Sequence, residues 1–238
     1  MTGRTLIVTR PEGKATEDIN CPGIEIVNVP VTRLEELPFD AGEFESFNPE
    51  IAIVTSARGA DTIRSNIGSF RSVHTYISIG KITSNALKSL GLDSLVPHDQ
   101  TSGGIVELIR HNDWKSRRIV LLSSQQSNMV VRDFLLQEGY DFKLFIIYRS
   151  VPLDLSGLLE YIHGGCLGIV ITSSQEAEII LKDQPVATTI MYTGTRIFAI
   201  GKTTADTIKK SGYTPADPVG KSILKDLVCQ IKQKYLEK

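Results

Sequence analysis

The chain carries one α/β pattern twice, and that repeat limits its architecture more than any other feature. IVTSARGADTI (Ile53 to Ile63) is echoed by VITSSQEAEII (Val170 to Ile180), with Thr55 and Thr172 in register. ISIGKITSNALKSLG (Ile77 to Gly91) is echoed by FAIGKTTADTIKKSG (Phe198 to Gly212), with six identities in fifteen aligned positions. The two offsets, 117 and 121 residues, are nearly equal, and the segments keep their order. Each copy leads to a proline, Pro97 or Pro218, and then to another amphipathic stretch. A duplicated unit accounts for all of this. With 238 residues the chain has room for two small domains.

Short apolar runs fix the class of each unit. TLIVT (Thr5 to Thr9), IEIVNV (Ile24 to Val29), IAIVT (Ile51 to Thr55) and TYISI (Thr75 to Ile79) read as strands. So do RIVLL (Arg118 to Leu122), FKLFIIY (Phe142 to Tyr148), LGIVIT (Leu167 to Thr172) and RIFAI (Arg196 to Ile200). They are rich in β-branched residues and lack strict alternation, as strands covered on both faces do. Helical patterns lie between them. In SNMVVRDFLLQEG the spacing puts Met129, Val130, Phe134 and Leu135 on one face, with Gly139 as the stop. SILKDLVCQIKQKYL forms another near the C-terminus. Alternating strands and helices predict parallel sheets of the α/β class.

In open parallel sheets, ligands bind outside the carboxyl ends of the strands. Both echoed motifs are strand-to-helix transitions. Thr55-Ser56 and Thr172-Ser173 stand at strand exits, where a hydroxyl can cap the next helix. Gly80 and Gly201 are read as sharp turns, after which Thr83 and Thr204 open helices. Free N–H groups and the helix dipole at such starts can hold carboxylates or phosphates without a basic side chain. A single Ser or Thr at a helix start is most often only a cap; four of them matched across a repeat point to a ligand cleft between two domains.

Composition narrows the ligand. The net charge is −1, so the whole-molecule field recruits neither nucleic acid nor an anionic membrane. An anionic ligand must therefore be held by local groups. No apolar run approaches the ~20 residues of a membrane span, and the N-terminus enters a strand without a signal-peptide layout. Cys21, Cys166 and Cys229 are far apart in sequence and odd in number, which predicts buried free thiols in a reducing cytoplasm. His74, His98, His111 and His163 show no ligand spacing, so no metal site is expected. GKTTAD contains the letters GKT, but a P-loop's first glycine would fall at Thr195 or Arg196, so nucleotide binding is not indicated.

VTRP (Val8 to Pro11), VNVPV (Val27 to Val31), TSARGA, the IGKITSNALKSLG segment with its downstream proline, VLLSSQQSNMVVRDFLLQEGY, IIYRSVP, ITSSQEA and AIGKTTADTIKKSGYTPADP follow one another in an order that resembles the uroporphyrinogen-III synthase family over essentially the whole chain. The motifs are specific mainly in combination. The resemblance implies two flavodoxin-like parallel-sheet α/β domains with interleaved connectivity, joined by a two-stranded linker, with a cleft between them. One domain would comprise residues 1–33 and 150–238 and the other 36–147, with linkers at about 30–37 and 147–154.

It also implies a reaction. Hydroxymethylbilane, a linear tetrapyrrole with eight carboxylates, loses water, inverts its last ring through a spiro intermediate and closes to uroporphyrinogen III. This cyclising hydro-lyase chemistry of tetrapyrrole and haem biosynthesis needs no cofactor and no metal. A monomer receiving the bilane from the enzyme that forms it is expected. Tyr148 matches the family's tyrosine at the end of the strand entering the second linker, where it would act as general acid on the departing hydroxyl. As a weakly acidic phenol it should contribute about ten- to a hundredfold. Thr203 and Thr204 match the substrate-carboxylate site, Ser56 and Ser173 the strand-exit hydroxyls, and Ser123 and Ser124 a small polar turn. Thr83 is the first copy's counterpart of Thr204. Arg10 is the usual basic residue after the first strand and could pair with a carboxylate in bidentate fashion. Arg58 and Lys202 are weaker candidates, and Arg149 is sent to the opposite face by alternation.

Two other classes fit part of the pattern. A noncatalytic two-domain ligand sensor would use the same cleft without chemistry, but such proteins normally carry an output module or secretion signal. A glycosyltransferase-like or response-regulator-like enzyme would need carboxylates at strand ends, where this chain has Thr and Ser.

Overall fold

The expected strands all form, and the fully buried runs Thr5–Val8, Ile51–Val54, Gly168–Ile171 and Ile197–Ala199 do so for one reason: each is short enough to cross a sheet once and apolar enough to be covered on both sides. The computed structural model describes residues 4–14, 19 and 21–237. In chain order come β1 (Thr5–Val8), β2 (Glu25–Asn28), β3 (Thr32–Glu36), α1 (Ala41–Phe47), β4 (Ile51–Val54) and α2 (Ala57–Ser65). After a 3-10 turn at Ile67–Ser72 follow β5 (Thr75–Ser78), α3 (Lys81–Lys88), β6 (Ser94–Leu95), α4 (Ser102–Arg110), β7 (Ile119–Ser124), α5 (Val130–Gln137) and β8 (Phe142–Pro152). The remainder is α6 (Ser156–His163), β9 (Gly168–Ile171), α7 (Ser174–Lys182), α8 (Gln184–Thr193), β10 (Ile197–Ala199), α9 (Lys202–Lys210) and α10 (Leu224–Tyr235).

The chain divides into two compact units. Unit 1 runs as far as Leu34 and resumes at Val151; unit 2 is Glu35–Ser150. Unit 1 holds a four-stranded sheet in the order β10-β9-β1-β2, all parallel. The second sheet has the order β3-β8-β7-β4-β5-β6, and β8 through β6 are parallel. Hydrogen bonds from Leu37 N–H to Ile147 O and from Leu153 N–H to Val31 O, both 3.0 Å, run β3 antiparallel to β8.

Alternation along each strand feeds two cores per sheet. In unit 1, Ile7, Ile169 and Ile171 pack with α6 to α9, while Leu6, Val8, Val170 and Phe198 pack with α10. In unit 2, Ala52, Val54, Val120 and Leu122 meet Phe44 and Phe70; Ile51, Ile53, Ile77 and Leu121 meet α4 and α5. Covering both faces is what turns these strands into unbroken apolar runs.

One expected face is shifted. Val131, not Val130, joins Phe134 and Leu135 in the core, and Val130 is exposed. The helix begins only at Val130, so its register against the sheet is set by the 131, 134, 135 triplet. Gly139 does end it: the glycine takes φ +67°, and the next N–H, of Tyr140, returns to Leu135 O at 2.9 Å.

Candidate functional site

In unit 1 the carboxyl ends of β1, β9 and β10 open onto a cavity of about 500 Å³. Arg10, Lys14 and Lys225 supply its positive charge, and Ile19, Ile200 and Leu224 an apolar lining. Thr172 and Ser222 add hydroxyls. The sequence points to Arg10 but not to Lys14, Ser222 or Lys225. Their common signal is position: they follow the first strand and the second copy's terminal proline, segments outside the echoed motifs.

Behind that cavity lies a group that the sequence motifs do not single out. Glu176 is 1% exposed, yet it is a carboxyl group at the third position of α7. Thr9 Oγ1 and Thr172 Oγ1 each donate to its Oε2 at 2.9 Å, and Thr172 N–H does so at the same distance. Burial pushes its carboxyl above the usual carboxylate range, against the pull of those donors. Ser173-x-x-Glu176 has the spacing of a capping box, which is the signal that could have found it. Ser173 does act as the cap, its Oγ accepting Glu176 N–H at 3.1 Å.

Thr203 and Thr204 part company. Thr203 is exposed at the start of α9, whereas Thr204 is 4% exposed and turned into the unit. Thr83, its counterpart in unit 2, is 3% exposed. Both stand three places after the helix cap, so neither opens its helix; Gly80 and Gly201 hold the cap positions. Nor do those glycines make sharp turns. Their φ values, −170° and −166°, are extended backbone. Glycine serves there for space: a Cβ on Gly80 would lie 2.6 Å from Gln100 Oε1, and one on Gly201 3.2 Å from Ser222 Oγ. Gln100 Oε1 in turn accepts the first helical N–H of α3, from Lys81, at 2.9 Å.

In unit 2 the exits of β4 and β7 carry a chain of hydroxyls. Thr55 Oγ1 lies 3.2 Å from Ser123 Oγ and donates to Leu122 O at 2.9 Å; Ser123 donates to Ser127 Oγ at 2.7 Å. Ser123 is thus buried in a network, while Ser124 at the strand end is half-buried. Ser56 caps nothing through its side chain, and its buried Oγ has no hydrogen-bond partner among the described residues.

Tyr148 pairs with Ser124, while Ser123 pairs with Ile146, so Ile147 is an extra residue in β8. Such a bulge re-aims the next side chain. Tyr148 therefore packs against the same core as Phe145 and Ile147, half-buried, with the Arg58 guanidinium 5.9 Å from its ring centroid. Arg58 also lies 3.8 Å from Glu36, and exposed Arg149 is paired with Glu35 at 2.6 Å. Lys202 is exposed at the start of α9.

The three cysteines are free, although the fold brings Cys21 and Cys229 within 3.6 Å. Among the described residues no group of three or more His, Cys, Asp or Glu side chains converges as a metal site, and no helix is long and apolar enough to cross a membrane.

Residues 12–217 match the protein family described as Uroporphyrinogen-III synthase HemD. The fold is similar to a crystal structure of a mutant uroporphyrinogen III synthase from the extremely thermophilic bacterium Thermus thermophilus, with a TM-score of 0.64 and 17% identity over 98% of this chain and 99% of that one. It is also similar to uroporphyrinogen-III synthetase from Helicobacter pylori, with a TM-score of 0.57 and 13% identity over 95% and 96% of the two chains. No curated protein sequence matches.

Proposed function

Because the chain belongs to the uroporphyrinogen-III synthase family, we propose that it closes hydroxymethylbilane to uroporphyrinogen III with its own side chains and backbone donors, without a metal or cofactor. The terminal hydroxyl leaves as water and an electrophilic azafulvene forms. The substituted carbon of ring D attacks it, and the resulting spiro intermediate fragments and recloses with that ring turned round. Direct closure without inversion needs no catalyst. The protein therefore works by positioning the bilane and stabilising charge as water departs.

The observation that supports this use of the site is the unit 1 cavity, where three cations surround an apolar lining at strand exits. In this reading Arg10, Lys14 and Lys225 take carboxylates of the bilane, and a pyrrole ring rests on Ile19, Ile200 and Leu224. Exposed Thr203 and the Ser173 hydroxyl offer further donors. In unit 2, Tyr148 gives a proton or hydrogen bond to the departing hydroxyl, with Ser56 and Ser124 as polar contacts. Buried Thr83, Thr204 and Ser123 shape these contacts from behind. The protein works as a monomer and takes the bilane from the enzyme that makes it.

Incubation with freshly generated hydroxymethylbilane, oxidation and chromatographic separation of the isomers tests the reaction. Predominant type III product is expected; type I alone, at the rate without protein, would refute it. Tyr148→Phe should lower kcat by about ten- to a hundredfold with an unchanged thermal melt. An unaltered kcat would remove Tyr148 from the chemistry.

A further inference from the structure

Glu176 does more than a helix cap requires. A glutamate three places after a capping serine normally closes the helix start at the protein surface. Glu176 keeps that local duty through Ser173 N–H and adds the N–H of Thr172, one residue before the cap. It also reaches beyond its own helix to Thr9, which precedes it by 167 residues and lies at the exit of a different strand. One carboxyl group thereby ties together the exits of β1 and β9 and the start of α7. Burying an ionisable group carries a cost that a plain cap avoids. The matching position in unit 2 is Gly59, so the repeat folds without a carboxyl there.

Both strand exits tied by Glu176 border the cavity: Thr172 lines it, and Thr9 is bonded in the chain to Arg10, which also lines it. We propose that Glu176 is a positioning residue for substrate binding, holding the β1 and β9 exits so that Arg10 and Thr172 meet a carboxylate of the tetrapyrrole in fixed geometry. The inference rests on the reading of the cavity given above. An arginine clamp is only as well placed as the backbone that carries it, and displacements near 1 Å are enough to weaken such positioning severely. Removing the carboxyl group leaves Thr9 Oγ1, Thr172 Oγ1 and Thr172 N–H to find other partners, and beyond the ladder bond from Thr9 N–H to Val170 O at 3.1 Å the two exits lose their side-chain tie. Because the effect is on binding rather than on bond-making, it falls on KM more than on kcat.

The experiment compares Glu176→Ala, Glu176→Gln and Arg10→Ala with the parent protein, using hydroxymethylbilane as substrate and circular dichroism to check the fold. Glu176→Ala should raise KM about tenfold with little change in kcat. Glu176→Gln, whose amide oxygen still accepts from Thr172 N–H and Thr9, should return KM to within about twofold of the parent. Arg10→Ala separates the two claims. If it leaves KM unchanged, the cavity does not hold a substrate carboxylate and the underlying reading fails. If Arg10→Ala raises KM while a folded Glu176→Ala keeps the parent KM, the cavity stands and the positioning role is overturned. Should Glu176→Ala not fold, Thr9→Val decides: it removes the link from Glu176 to β1, together with the longer 3.3 Å bond from the same hydroxyl to Val170 O, and a KM rise of about threefold supports the role while an unchanged KM overturns it.

Discussion

The two copies of the repeat use the same Thr-Ser pair after a strand for different ends. In unit 1, Thr172 bonds to Glu176 and Ser173 caps α7. In unit 2 the residue matching Glu176 is Gly59, Thr55 turns sideways to Leu122 and Ser123, and the Ser56 hydroxyl is buried without a partner among the described residues. The backbone plan is shared: Ala60 and Ala177 are buried alike, as are Ile63 and Ile180. What separates the copies is the space at the third helical position. A Cβ on Gly59 would stand 2.3 Å from Val54 Cγ1, so in unit 2 the helix presses against its strand. In unit 1 that place is filled by a side chain that gathers the neighbouring hydroxyls. A duplicated unit can thus keep its core while exchanging which polar atoms are tied down and which are left for a ligand.

The largest effect should come from giving unit 2 even part of the missing side chain. Gly59→Ala forces overpacking against Val54 and should cost about 3 kcal/mol in urea unfolding; a value near zero would mean that the α2–β4 contact yields and the copies are more alike than they look.

Next comes the pH dependence of Glu176. Its carboxyl is raised in the folded protein, so the folded state binds the proton more tightly than the unfolded chain. The resulting stabilisation is fully present below about 4.5, the ordinary glutamate value, and is lost as pH rises through the native value. Urea titrations of the parent should show this loss, at no more than about 1.4 kcal/mol per pH unit. Glu176→Gln should remove that component from the pH profile. An identical profile in the variant would show that Glu176 does not titrate in that window.

The smallest pair tests the serines. Ser173→Ala should lose about 1 kcal/mol with its cap. Ser56→Ala should lose nothing or gain slightly, since an unpartnered buried hydroxyl is itself unfavourable. Equal losses at both sites would erase the distinction. A rise in KM for Ser56→Ala, without a loss of stability, would point to a ligand as the partner of that hydroxyl.

Local chemistry explains what can be read in advance. The strands follow from β-branched runs, and the end of α5 from Gly139, because both depend on neighbours in sequence. The buried face of α5 differs by one residue from the pattern because Met129, Val130 and Val131 are all apolar and only the sheet chooses among them. Gly80 and Gly201 look like turn residues in sequence, but the demand on them is room, imposed by Gln100 and Ser222 from further along the chain. The cavity is the clearest case. It is assembled from Arg10, Lys14 and Ile19, from Thr172, and from Ile200, Ser222, Leu224 and Lys225, and no periodicity brings such positions together. Glu176 has a capping-box spacing in plain view, but its bond to Thr9 exists only in three dimensions.

The pairing of β1 with β9 has a consequence for the newly made chain. Leu6, Ile7 and Val8 align with Gly168, Ile169 and Val170, so a strand that leaves the ribosome early must wait for one made long afterwards. Until then β1 has only β2 beside it, and two short strands without a covering layer do not hold together in water. Glu35–Ser150 is contiguous and complete before β9 exists. Synthesis therefore favours an order in which the middle of the protein folds while β1 is still unclaimed, and a truncation before β9 costs the first unit its sheet but leaves the second its own.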